Sequence, residues 1–205
     1  VDGGWAKASP VPSGHLREAT RAVAYRSDED IAHIVATATD PRLAVLVRVA
    51  ADTGLRAGEL AALEWPDIDH RRNVVVVRES KSKRPREVSL TPLAAEALAS
   101  LDRPAIPTDG SPDIVFRACI PLTRAPWRAL RRAAGFPTMR FHDLRHAFGS
   151  RLAQAGVPIT TVSRLMGHGS IAMTMRYACH APAGAEAAAI AMLGAGAKRA
   201  EGMKA

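Results

Sequence analysis

His142, Arg145 and His146 stand at i, i+3 and i+4 within the stretch FHDLRHAFGSRLAQAG, Phe141 to Gly156. On a helix these three side chains share one face. Two chemistries suit such a face. Two imidazoles one turn apart, with a carboxylate after the first, follow the pattern by which a helix offers histidines to zinc. Asp143 stands where that pattern has Glu, and it is one methylene shorter. Arg145 puts a fixed cation on the same arc, and no third ligand follows at a familiar spacing, although His168 could serve. An oxyanion accounts for more of the trio. His142 and Arg145 can donate to one anion, and the planar guanidinium fork suits phosphate. The plainer alternative is a helix with a solvated arginine and a core histidine.

Three further segments carry groups suited to phosphate chemistry. TGLRAGEL places Arg56 just after a glycine break. MGHGSIAMTMRYA sets His168 between two glycines, with Tyr177 nine residues on. KSKRP, between two β-branched runs, offers Lys81 and Lys83.

The elements that must position these groups are mostly helices. Ser27 with Asp30 forms a variant capping box, so a helix is expected to about Thr37. A second should run from Pro41 to a stop at Gly54, followed by a short one in LRAGELAAL. NVVVVRES and REVSL read as a hairpin with a charged tip. Thr91 and Pro92 start another helix, and PLTRAPWRALRRAAG is a basic helix ending near Gly135. The His142 helix should end at Gly156, with two short helices in ITTVSRLMG and SIAMTMRYA. Trp65 and Trp127 read as core, and His146 as a packing or supporting residue. The fold class is mostly α with a small antiparallel β-sheet (α+β).

Composition bounds the partners. The chain has 205 residues, 28 Lys plus Arg against 20 Asp plus Glu, and a formal charge of +8. That excess points first to nucleic acid. Arg124 to Arg151 holds seven arginines against one acid, Asp143, which suggests backbone phosphate contacts through Arg128, Arg131 and Arg132. Two cysteines, Cys119 and Cys179, make no disulfide framework, so a cytoplasmic setting is expected. No apolar run is long enough to span a membrane. Residues 1–25 carry no clean period and read as a linker or arm, and the Ala/Gly-rich stretch 181–205 reads as a tail.

TGLRAGEL, HDLRHAFGSRLAQAGV and LMGHGSIAMTMRYA, in this order and spacing, resemble the three signature boxes of the tyrosine recombinases, the phage integrase family. The resemblance covers about residues 26–180, which it implies are the catalytic domain, with residues 1–25 an arm left from a missing N-terminal DNA-binding domain and 181–205 a tail that docks on a neighbouring protomer. It implies the tyrosine recombinase catalytic-domain fold and a site-specific recombinase that cuts and rejoins double-stranded DNA. Arg56 and Arg145 match the arginines that clamp the scissile phosphate. His142 and His168 match the box histidines, and Tyr177 matches the nucleophile. Lys81 is the match for the general acid, with Lys83 the runner-up, and Glu59 matches a supporting acid. Lys83, Arg84 and Arg86 on the hairpin join the expected DNA contacts. Met166 departs from the Leu common at its position. The resemblance further implies a 3′-phosphotyrosyl intermediate without metal, cofactor or ATP. It also implies a monomer in solution that becomes a homotetramer on synapsed DNA. The alternatives are a non-catalytic DNA-binding relic of the same fold and, behind it, a zinc hydrolase.

Overall fold

The computed structural model describes residues 25–78, 85–103, 107–109, 111–116, 125–184 and 190. Lys81, Lys83 and Arg84, the arm before Tyr25 and nearly all of the tail beyond residue 184 lie outside the described residues.

Local chemistry sets most element starts and stops. Helix α1 (Asp28–Thr37) begins at Ser27, whose hydroxyl accepts from the Asp30 N–H while the Asp30 carboxylate accepts from the Ser27 N–H. This reciprocal cap satisfies two N–H groups left free at a helix start. Helix α2 (Pro41–Thr53) is capped by Asp40 and opened by Pro41. It stops at Gly54, which takes a left-handed φ of 62°. A side chain at Gly54 would also collide with the Phe148 ring, 2.3 Å from an added Cβ. Helix α3 (Ala57–Ala61) follows at once.

The sheet is antiparallel in the order β1 (Ile68–Asp69), β2 (Val74–Val77) and β3 (Arg86–Ser89). Val75 pairs with Val88, and both are buried. The hairpin expected from the sequence is β2–β3. The two-residue strand β1 is an addition that no sequence pattern announces. Helix α4 (Pro92–Ala99) starts at Thr91, whose hydroxyl accepts from the Ala94 N–H. Then come α5 (Ala125–Ala133), α6 (His142–Gln154) and α7 (Ile159–Met166), the last ended by Gly167 at φ 63°. SIAMTMRYA, expected as one short helix, is instead two 3-10 turns, Ile171–Met173 and Met175–His180. They meet at Thr174, whose side chain is fully buried.

Helix α2 runs through the middle, buried on nearly every side from Leu43 to Thr53, with α1, α4 and α6 packed on it. Trp65 and Trp127 are buried, as expected. Among the described residues no helix is long and apolar enough to cross a membrane.

Charged groups cross-tie the helices. Asp52 on α2 is 3% exposed and accepts from Thr91 Oγ1 at 2.8 Å and from Arg151 Nη2 at 2.9 Å. Arg151 also reaches the Ala51 carbonyl and the Asp28 carboxylate, so α6, α2 and α1 are joined at one side chain. Arg151, the last of the seven arginines counted from Arg124, is thus spent on contacts within the protein. Asp52→Asn removes the charge that balances Arg151 and the nearby Arg48. Urea melts should show a loss of about 2 kcal/mol.

Candidate active site

Helix α6 carries most of the site. Leu144, Ala147 and Phe148 bury one flank in the core, which turns His142, Arg145 and His146 toward α7 and the Tyr177 turn. Asp143 steadies the helix start by accepting from the Arg140 N–H and guanidinium.

Arg145 is 3% exposed. One Nη donates to the Gly54 carbonyl and the other to the Met166 carbonyl, the latter at 2.5 Å. Both acceptors sit where a helix ends, α2 and α7, and such carbonyls lack helical partners. Burial, followed by the nearby Arg56 charge, pushes the Arg145 guanidinium down to about 10, so it remains a cation at neutral pH. Arg56, at the start of α3, donates to the Gly167 carbonyl at 2.8 Å and to Glu59 at 3.0 Å. The two arginines thus grip successive carbonyls, Met166 and Gly167, immediately before His168.

Glu59 is 5% exposed at its side chain and accepts four N–H donors. Two come from Arg56, backbone and side chain. The other two come from Arg86 on β3, at 3.0 and 2.7 Å. Burial raises the Glu59 pKa, but the Arg86 and Arg56 bonds outweigh it and the net shift is downward.

Arg86 corrects the sequence reading. It was expected to contact DNA, but its side chain is only 9% exposed and its donors are spent on Glu59 and the Leu165 carbonyl. It also packs against Gly167, where an added Cβ would lie 2.8 Å from the guanidinium carbon. Arg86 ties the hairpin to α3 and α7. Arg86→Met should cost about 3 kcal/mol in a denaturant melt, because Glu59 would keep a buried charge with half its donors. A phosphate-contact role would leave the melt unchanged. Among the basic-helix arginines, Arg128 and Arg132 are exposed, whereas Arg131 is tethered to the Met139 carbonyl at 2.6 Å.

Both box histidines lie beside these arginines. His168 Nδ1 meets Thr174 Oγ1 at 2.7 Å, and burial, then the Arg145 and Arg56 charges, lower its pKa to about 4. His142 stands at the mouth, its pKa lowered by partial burial and then by Arg145 and Arg140. Tyr177 is 1% exposed. Its ring lies against Gly149, where an added Cβ would sit 2.9 Å from Cζ. Burial raises its pKa, and the Arg145 and Arg176 charges offset part of that rise.

His146 was read from the sequence as a packing or supporting residue. Its Nδ1 lies 2.7 Å from the Tyr177 hydroxyl, and its ring meets His142 edge-on at a centroid distance of 4.8 Å. Sequence spacing held half of this signal, since 146 and 149 share a helix face, but nothing placed Tyr177 over that face. Arg56, Glu59, His142, Arg145, His168 and Tyr177 therefore share one site. Among the described residues no group of three or more His, Cys, Asp or Glu could hold a metal ion.

The sequence model of the phage integrase family matches residues 26–183. The integrase of Salmonella phage P22 is 35% identical over 150 residues, covering 67% of this chain and 39% of that protein. The crystal structure of XerA recombinase is 28% identical, with a TM-score of 0.66 over 82% of this chain and 63% of that one. The Tn1549 transposon integrase, in complex with transposon right-end DNA, has a TM-score of 0.71 over 87% of this chain and 68% of that one. At 20% identity, that likeness is one of fold. The chain spans 39% of the P22 integrase and about half of two other curated relatives.

Proposed function

The chain belongs to the phage integrase family, and on that premise we propose that it is the catalytic domain of a site-specific DNA recombinase, with Tyr177 as nucleophile. What carries the reading is the convergence of Arg56 and Arg145 on the Met166–Gly167 turn, beside His168 and Tyr177.

The chemistry follows from charge. A phosphodiester repels nucleophiles, and charge builds on its non-bridging oxygens as the bond to the attacking oxygen forms. Two preorganised guanidiniums answer both demands. A phenol is only about one part in a thousand ionised at neutral pH, so Tyr177 must lose its proton as it attacks. It would form a 3′-phosphotyrosyl bond and release a 5′-hydroxyl, the leaving oxygen taking a proton from Lys81 or, as runner-up, Lys83. The phosphotyrosyl bond retains the ester energy, so a second 5′-hydroxyl can reverse the step without ATP. Arg128 and Arg132, both exposed, are the proposed backbone contacts on α5. Strand exchange would proceed pairwise among four protomers on synapsed DNA.

The test is covalent capture. The chain is incubated with DNA of its host, denatured, and the DNA that stays attached is digested and the modified residue read by mass spectrometry. A nucleotide adduct on Tyr177 supports the reading, and sequencing the attached ends names the site. Reversible binding with no adduct favours a DNA-binding relic. Stoichiometric zinc bound through His142 and His146 would favour a hydrolase.

A further inference from the structure

We propose that His146 is the base that takes the proton from Tyr177, an assignment that rests on the strand-cutting reading above. Three observations lead to it.

The first is distance. Nδ1 of His146 lies 2.7 Å from the Tyr177 oxygen, within the reach a base needs. The second is what the other histidines do. His168 Nδ1 is committed to the buried Thr174 hydroxyl at 2.7 Å. His142 turns the edge or face of its ring to His146 at a centroid distance of 4.8 Å. The third is how Tyr177 is aimed. Its ring rests on Gly149, where any side chain would intrude on Cζ at 2.9 Å and on Met166 Sδ at 2.9 Å. Gly149 lies one turn along α6 from His146, so the same helix face that admits the ring presents the imidazole to its hydroxyl. With Tyr177 1% exposed, bulk water is not at hand to do the same.

The environment keeps His146 unprotonated while it waits. Burial first, and then His142, bring its pKa to about 4, so at neutral pH the Nδ1 lone pair is available. The charged and titratable groups around it are His142, Asp143 and Arg140 from its own end of α6, Arg176 and Tyr177 from the facing turn, and His168 beyond α7. Arg140 and Arg176 oppose an imidazolium, and Asp143 favours it. A DNA phosphate brought to Arg56 and Arg145 adds a negative charge that favours the imidazolium further. The base thus strengthens when substrate arrives.

The step balances as follows. Tyr177 passes its proton to Nδ1 as its oxygen bonds to phosphorus. The bond from phosphorus to the 5′ oxygen breaks, and that oxygen takes its proton from the general acid on the hairpin. His146 ends as an imidazolium with a proton on each nitrogen. In rejoining, the same proton returns to the phenolate.

Two measurements test this. In the free chain, 15N NMR of the histidine side chains should show His146 with its proton on Nε2 and an acceptor Nδ1. A proton on Nδ1 would overturn the proposal without reference to any DNA. Single-turnover cleavage is then followed on a duplex carrying the captured site. His146→Asn keeps an acceptor oxygen near the Nδ1 position but cannot act as a base at neutral pH. Its rate should fall about 10²-fold. The wild-type rate should rise with pH through the His146 titration and then level, while the variant should keep rising toward the tyrosine pKa. A purely positioning role predicts that Asn restores the rate and leaves the profile unchanged, and that result overturns the proposal. No adduct from the wild type overturns both this assignment and the strand-cutting reading. A wild-type adduct undiminished in His146→Asn overturns this assignment alone. If His146→Asn fails to fold, the wild-type NMR and pH profile still decide.

Discussion

Tyr177→Phe is expected to abolish covalent attachment to DNA, lowering adduct formation by about 10⁴-fold or more, since no other nucleophile would stand at the phosphate. The fold should survive. The Phe ring fills the same space against Gly149 and Met166, and only the hydroxyl is lost. The missing hydrogen bond leaves His146 Nδ1 without its partner, a cost of about 1 kcal/mol. Reversible DNA affinity should stay near wild type, because Arg56, Arg145 and the exposed Arg128 and Arg132 are untouched. Denaturing gels read the adduct, band shifts read affinity, and a urea melt reads stability. A variant that still formed adducts would move the nucleophile elsewhere.

Arg145→Lys should lower cleavage by about 10³-fold. It should also destabilise the free chain, although the formal charge is kept. Arg145 uses both terminal nitrogens on the carbonyls of Gly54 and Met166. An ammonium is a point donor on a flexible stem and cannot span two carbonyls that a fork holds apart. The carbonyls ending α2 and α7 would then compete with the phosphate for one ammonium group. At 3% exposure no water replaces the lost donors. Loss of charge alone would spare this variant, so a wild-type rate would show that charge, not fork geometry, is what the site needs. The readouts are single-turnover cleavage and thermal melting.

The sequence made local features plain and long-range ones obscure. Ser27 with Asp30, Pro41, and Thr91 with Pro92 each announce a helix start, and each helix begins there. Gly54, Gly135 and Gly156 announce stops and take left-handed φ values. Arg56, Glu59, His142, Arg145, His168 and Tyr177, which the fold brings together, could be singled out because three spaced boxes carry them. Arg86 was not, because its meaning depends on Glu59, 27 residues earlier, folding across the hairpin to meet it. In sequence it is one more cation in a basic stretch. The contact between His146 and Tyr177 was hidden for a similar reason, since the two lie 31 residues apart. The turn that holds Tyr177 was expected as one helix, but burial of Thr174 and its bond to His168 divide the segment. That is a tertiary constraint with no local signature.

The acceptors for the paired arginines are the backbone oxygens of residues 54, 166 and 167. A carbonyl is supplied by every residue type, so mutation at those positions cannot delete these acceptors; it can only disturb where they lie. Gly54 and Gly167 are constrained on other grounds, by their positive φ and by the side chains pressed against them. Position 166 carries a side-chain requirement only for apolar bulk beside Gly149. Met there instead of Leu therefore leaves the grip on Arg145 intact. Such a clamp tolerates drift in the residues it holds onto, and concentrates its vulnerability in the two arginines and in the buried carboxylate shared with Arg86.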